Sequence, residues 1–112
     1  MSRESLDLMR GTLDLLILKV VSLQSMHGYD ISKWVRYKTG KAIKIEDSAL
    51  YQSLRRLEKR GWLKSEWRRS STGREAKFYD LTAAGSEHLQ TQTDGWRQYV
   101  RAMDVVLRSV EI

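Results

Sequence analysis

SALYQSLRRLEKRGWLKSEWRRSSTGREAKFYDLT, residues 48–82, changes its period midway, and that change decides the fold. In its first half Leu50, Leu54 and Leu57 recur at helical spacing and form one inward stripe. The spacing predicts a helix that opens near Asp47 as N-cap and stops at Gly61. In the second half WLKSEWRR (62–69) and AKFYDL (76–81) are two short strand-like runs. The polar SSTGRE between them reads as a hairpin turn with Gly73 at its tip.

Working upstream, Leu13, Leu16, Ile17, Val20 and Leu23 recur at helical spacing, with Leu15, Leu18 and Val21 filling the rest, so a first helix is mostly buried. Gly28 interrupts it. A shorter second helix is predicted from Tyr29 to Thr39, carrying Ile31, Trp34 and Val35, with Gly40 as its stop. KAIKI (41–45) alternates briefly and reads as a connecting strand or an extended loop. Three helices followed by a hairpin is the winged-helix order. After Leu81, with Thr82 as N-cap, the remainder reads as one helix of about thirty residues, weakened at Gly85 and Gly95. The fold class is therefore mainly α with a small β-hairpin: a winged helix-turn-helix unit over residues 1–80 and a long C-terminal dimerisation helix over 81–112.

Charge is concentrated in the same central stretch. The chain of 112 residues carries a net +6. Residues 55–77 alone hold Arg55, Arg56, Lys59, Arg60, Lys64, Arg68, Arg69, Arg74 and Lys77 against Glu58, Glu66 and Glu75, which is already the whole surplus. A contiguous basic segment is the electrostatic footprint of a polyanion binder, because neutralising phosphates releases condensed counterions. A solvated basic face kept for solubility is the plainer alternative.

The third helix sharpens the choice. Ser48, Tyr51, Gln52, Arg55 and Lys59 share one outward face. In a major groove, Arg reads guanine edges, Gln reads adenine, and Tyr or Ser holds a phosphate. Beside it, Arg68, Arg69, Arg74 and Lys77 on the hairpin are placed to clamp the adjacent backbone. With Arg56, these form the expected DNA-binding set. A winged-helix module that offers its basic face to an acidic protein is the alternative function.

Three further stretches carry a family resemblance that spans Leu8 to Leu107. GTLDLLILKVV (11–21) with GYDI (28–31), ALYQSLRRLEKRGWL (49–63) and GREAKFYDLTAAG (73–85) together resemble the PadR-like transcriptional regulators. The resemblance implies a dimer that binds an inverted-repeat operator in double-stranded DNA, usually as a repressor. One departure is Gln52, which stands where the family commonly has proline after the Leu-Tyr pair.

The tail supports a homodimer on separate grounds. Leu89, Trp96, Met103 and Val110 fall seven apart, with Val100 and Leu107 beside them and Tyr99 and Val106 broadening the stripe. A unit of about eighty residues has too little surface to cover a stripe that long, and the same helix of a second copy is the simplest cover. Packing of its first half on its own domain is the alternative. The resemblance further implies a small aromatic effector between paired tryptophans at the dimer centre, which would fall on Trp96, Tyr99 and Val100.

Enzymatic chemistry lacks its parts. His27 and His88 are far apart in sequence and read as surface or packing residues. The chain shows neither a zinc-protease signature nor a phosphate-cradling glycine loop, and its carboxylates are scattered among basic partners. Tyr79 reads as packing on the third helix and Tyr29 as lying near the core or dimer. The absence of cysteine removes disulfides, thiolate metal sites and cysteine nucleophiles. No metal and no cofactor is expected. The most apolar stretch, LDLLILKVVSL (13–23), is interrupted by Asp14 and Lys19 and falls short of the ~20 residues that span a bilayer. The N-terminal MSRESLDLMRG lacks a cleavable apolar core, so a cytoplasmic location away from membranes is expected.

Overall fold

The computed structural model describes residues 11–112; the first ten residues, including the start of the expected N-terminal unit and the Leu8–Arg10 part of the resemblance, lie outside the described residues. The element order is α1 (Thr12–Leu23), β1 (Met26–His27), α2 (Gly28–Lys38), α3 (Asp47–Lys59), β2 (Leu63–Arg69), β3 (Glu75–Leu81) and α4 (Ala83–Leu107). Three helices, a wing-like hairpin and a long terminal helix follow one another as the sequence predicts.

The core forms where the apolar faces of α1, α2 and α3 meet the near face of the hairpin. Ile17, Leu18, Val20 and Val21 pack with Ile31, Val35, Leu50, Leu54, Leu57, Leu63 and Tyr79, all buried. The Leu50, Leu54 and Leu57 stripe is completely enclosed, and each such leucine contributes about 1.5–3 kcal/mol of transfer free energy. Leu23, expected inside, is instead 55% exposed. Gln24 beside it is already extended, so the last turn of α1 runs past the core.

Several boundaries differ from the sequence-based expectation. Asp47 is the first helical residue of α3; Glu46 occupies the cap position, and no side chain caps it. Gly28 opens α2. It follows β1, a two-residue strand that pairs antiparallel with β3 through Met26↔Tyr79 and His27↔Phe78. The sheet thus has three strands in the order β1-β3-β2. Two residues carry no alternation to detect. KAIKI forms a loop: Lys41 has φ 70, Ile45 is buried, and the Ile43 amide donates to Thr39 Oγ1 at 3.1 Å.

The joint between the hairpin and α4 is closely packed. Thr82 caps α4, its Oγ1 accepting from the Gly85 amide at 2.9 Å and donating to the Gly61 carbonyl at 2.7 Å. Gly85 is required here because a Cβ would collide with the Trp62 carbonyl oxygen. One turn on, His88 stacks flat on Trp62, with ring centroids 3.5 Å apart. His27 packs edge-on against Phe78 at 5.2 Å. Beyond Leu89, which packs against the core, α4 projects away from it. It covers 25 residues rather than thirty and ends at Leu107. The projection gives extents of 59 × 38 × 21 Å and a radius of gyration of 16.1 Å, against about 13 Å for a compact chain of this length.

Candidate nucleic-acid interface

A helix advances about 100° per residue, so the polar side chains of α3 fall into two groups. Ser48, Tyr51, Gln52, Arg55 and Lys59 are all exposed, on the side away from the leucine stripe. Tyr51 is fixed more firmly than the rest. Its ring crosses the start of α2, where a Cβ on Gly28 would lie 2.9 Å from Tyr51 Cε1.

Arg56, a member of the expected DNA-binding set, belongs to the other group. Its Nη2 donates to Asp14 Oδ1 at 2.6 Å and to Ser53 Oγ at 2.9 Å, and its Nε donates to Asp14 Oδ2 at 3.2 Å. Ser53 Oγ in turn donates to Asp14 Oδ1 at 2.7 Å. The hydrogen bond to Asp14 holds the Arg56 guanidinium above its already high pKa. Arg56 therefore ties α3 to α1.

Strand alternation sorts the wing in the same way. In the β2–β3 register, Leu63 pairs with Leu81, Ser65 with Tyr79, Trp67 with Lys77, and Arg69 with Glu75. This set faces α3: Leu63 and Tyr79 are buried against it, Ser65 Oγ donates to Glu58 Oε2 at 2.6 Å, and Lys77 Nζ lies 3.4 Å from Glu58 Oε1. Burial, the largest cause, pushes the Tyr79 phenol above its ordinary pKa. Arg68 has the opposite parity. It reaches Glu66 Oε1 at 2.6 Å, Ser25 Oγ and Asp80 Oδ2 both at 2.9 Å, and lies over the Phe78 ring at 5.3 Å. Its hydrogen bond to Glu66 is the main cause that raises its pKa. Arg68 thus braces the far face of the hairpin, opposite to the face that bears Arg69.

At the wing tip, Gly73 adopts φ 88, while the Ser70 amide donates to the Arg74 carbonyl at 2.7 Å and the Gly73 amide to the Ser70 carbonyl at 3.0 Å. This turn brings Arg74 round to the α3 side. Between α2, α3 and the wing lies a groove of about 1000 Å³, lined by Tyr29, Lys33, Tyr51, Arg55, Trp67, Arg74 and Lys77 among others. Among the described residues, Arg55, Lys59, Arg69 and Arg74 have no ion-pair partner. Ser48, Gln52, Lys59 and Arg69 stand outside the groove wall.

Three groove residues escaped the sequence reading. Tyr29, expected near the core or dimer, is 62% exposed, with Lys33 Nζ 5.1 Å from its ring centre. Their spacing of four was a readable signal that they share a face. Trp67 is 67% exposed; its signal was its even offset from Arg69.

On α4, Leu89 packs against its own core, so the first half of the helix is covered within the chain. From Trp96 onward, Trp96, Tyr99, Val100, Met103 and Leu107 are exposed along one face. The Trp96 and Tyr99 rings lie 6.3 Å apart. Val110 lies beyond the end of the helix and does not continue its repeat. Among the described residues, no group of histidine, cysteine or carboxylate side chains suits a metal ion, and no helix is long and apolar enough to cross a membrane.

Comparison with known proteins supplies an independent line. The model of the transcriptional regulator PadR-like family matches residues 17–91. A crystal structure from Streptococcus mutans UA159 superposes with a TM-score of 0.78 at 33% identity, covering 89% of this chain and 90% of that one. A PadR family transcription regulator from Clostridium difficile R20291 gives 0.76 at 29% identity, covering 87% and 99%. An uncharacterised protein of Lysinibacillus sphaericus is 28% identical over 105 residues, 94% of this chain and 96% of the relative.

Proposed function

The chain belongs to the PadR-like family of transcriptional regulators, and from that premise we propose that it is a dimeric repressor gripping an inverted-repeat operator through α3 and the β2–β3 wing. Members of the family are regulators of transcription and not enzymes, and regulating transcription implies binding DNA. The single observation that carries the finer reading is the groove between α3 and the wing, with Arg55 on one wall and Arg74 and Lys77 on the other.

In this reading α3 enters the major groove. Arg55 and Gln52 meet base edges, Ser48, Tyr51 and Lys59 meet phosphates, and Arg69, Arg74 and Lys77 hold the neighbouring backbone. Arg56 and Arg68 act as braces that position those groups. Residues 1–80 are the DNA-binding unit and residues 81–112, which carry α4, the dimerisation segment. The apolar face of α4 from Trp96 to Leu107 pairs with its copy, so that two α3 helices meet successive turns of a palindromic site. Across that two-fold axis, Trp96, Tyr99 and Val100 of each copy enclose a planar aromatic effector. Such a molecule acts by binding one spacing of the two α3 helices better than another.

Duplex retardation tests the proposal. DNA from the region upstream of the protein's own gene is expected to bind in preference to random duplex, with affinity falling steeply as salt rises. Equal affinity for both duplexes would replace it with a protein-interaction role for the basic face. Repeating the titration with planar aromatic compounds tests the effector.

A further inference from the structure

Trp67 is the largest exposed side chain in the groove, and a solvated indole on a rigid strand is an unusual thing to find there. Its fractional exposure of 67% exceeds the 37% of Trp96. Its strand position is fixed: it stands opposite Lys77, on the face that Ser65 and Lys77 tether to Glu58 of α3. Leaving such a ring in water forgoes favourable burial. The groove's cations, Lys33, Arg55, Arg74 and Lys77, outnumber its carboxylates, Asp30 and Glu75, and mark the covering partner as anionic on its outside, while the ring itself requires an apolar surface.

A strand of duplex DNA has both properties. The major and minor grooves are separated by a sugar-phosphate backbone, so a protein with α3 in the major groove and its wing on the minor-groove side must straddle one strand. That strand runs through the groove between α3 and the wing. We propose that Trp67 packs its ring on a deoxyribose of this straddled strand, between phosphates neutralised by Arg74 and Lys77, and so adds affinity that is independent of both base sequence and salt. The inference rests on the DNA-binding reading above.

Trp67→Ala, Trp67→Phe and Arg74→Ala are compared with the unaltered chain, each binding operator and random duplexes over a range of salt concentrations. Loss of a phosphate contact in Arg74→Ala flattens the plot of log affinity against log salt by about 0.9. Trp67→Ala is expected to weaken both duplexes about tenfold, the scale of an aromatic–nucleotide contact, with the slope unchanged. Trp67→Phe should recover most of the loss. The part of the tryptophan emission that disappears in Trp67→Phe should change when duplex is added to the unaltered chain. Unaltered affinity in Trp67→Ala, or a loss with a flattened slope, would overturn the assignment while leaving DNA binding intact. Failure of the unaltered chain to retard any duplex would instead remove the DNA reading itself. Thermal unfolding of the alanine variant within a few degrees of the parent excludes misfolding, and a shielded emission in the complex decides the matter should that variant not fold.

Discussion

Arg55 and Arg56 are adjacent and chemically identical, yet they serve different parts of the molecule because a helix turns them apart. Arg55 lines the groove, whereas Arg56 is held by Asp14 and Ser53. Two neighbouring alanine substitutions should therefore give opposite profiles. Arg56→Ala removes a half-exposed pair and is expected to cost about 1 kcal/mol of stability, seen as a lower midpoint in denaturant, with the salt slope of DNA binding unchanged. Arg55→Ala should leave the denaturant midpoint in place and relax sequence preference in competition binding. If both lowered stability alike, the division of α3 into a core side and a DNA side would be wrong. At this scale the sequence was only half legible. The stripe of leucines gave the inward direction, but the partner of Arg56 lies 42 residues away, and periodicity within one helix is silent about that. The same holds for the contact of Arg68 with Ser25, 43 residues away.

Among the elements, the joint between hairpin and α4 sets how α4 is held relative to the three-helix core and the wing. It consists of the Thr82 cap, the close approach of Gly85 to the Trp62 carbonyl, and the Trp62–His88 stack. Read as sequence, Gly85 was a weak point in a helix; in the structure it is the residue that lets the helix dock. Gly85→Ala gains helix propensity of up to about 1 kcal/mol but must push α4 off a rigid backbone oxygen. The collision should win, giving a net loss of about 1–3 kcal/mol, measured as a fall in the thermal midpoint. Gly95, where an added Cβ would meet nothing within 4 Å, is the control: Gly95→Ala should be neutral or stabilising. The cap was legible because Thr82 directly precedes the helical period. The docking was not, because only the folded chain brings residue 62 to residue 85.

For the molecule as a whole, the exposed face of α4 is the feature that a single chain leaves incomplete. Trp96, Tyr99, Val100, Met103, Val106 and Leu107 present apolar surface along about three turns. Light scattering is expected to give twice the 13.1 kDa of one chain. Met103→Glu, which puts a charge in the centre of that face, should shift the mass toward a single chain and weaken operator binding together. A charged variant that still runs at the doubled mass would exclude this face as the interface. The order of helices, the hairpin and its turn, the concentration of positive charge and the apolar repeat of the tail were all determined by the sequence, since each depends on local periodicity, turn chemistry or simple counting. The tertiary structure alone decided that β1 completes the sheet, that Arg56 is tied to Asp14 and Arg68 to Ser25, and that Leu89 packs within the chain. Each of those outcomes is a contact between residues far apart in sequence, and such contacts are chosen by the packing of the whole core.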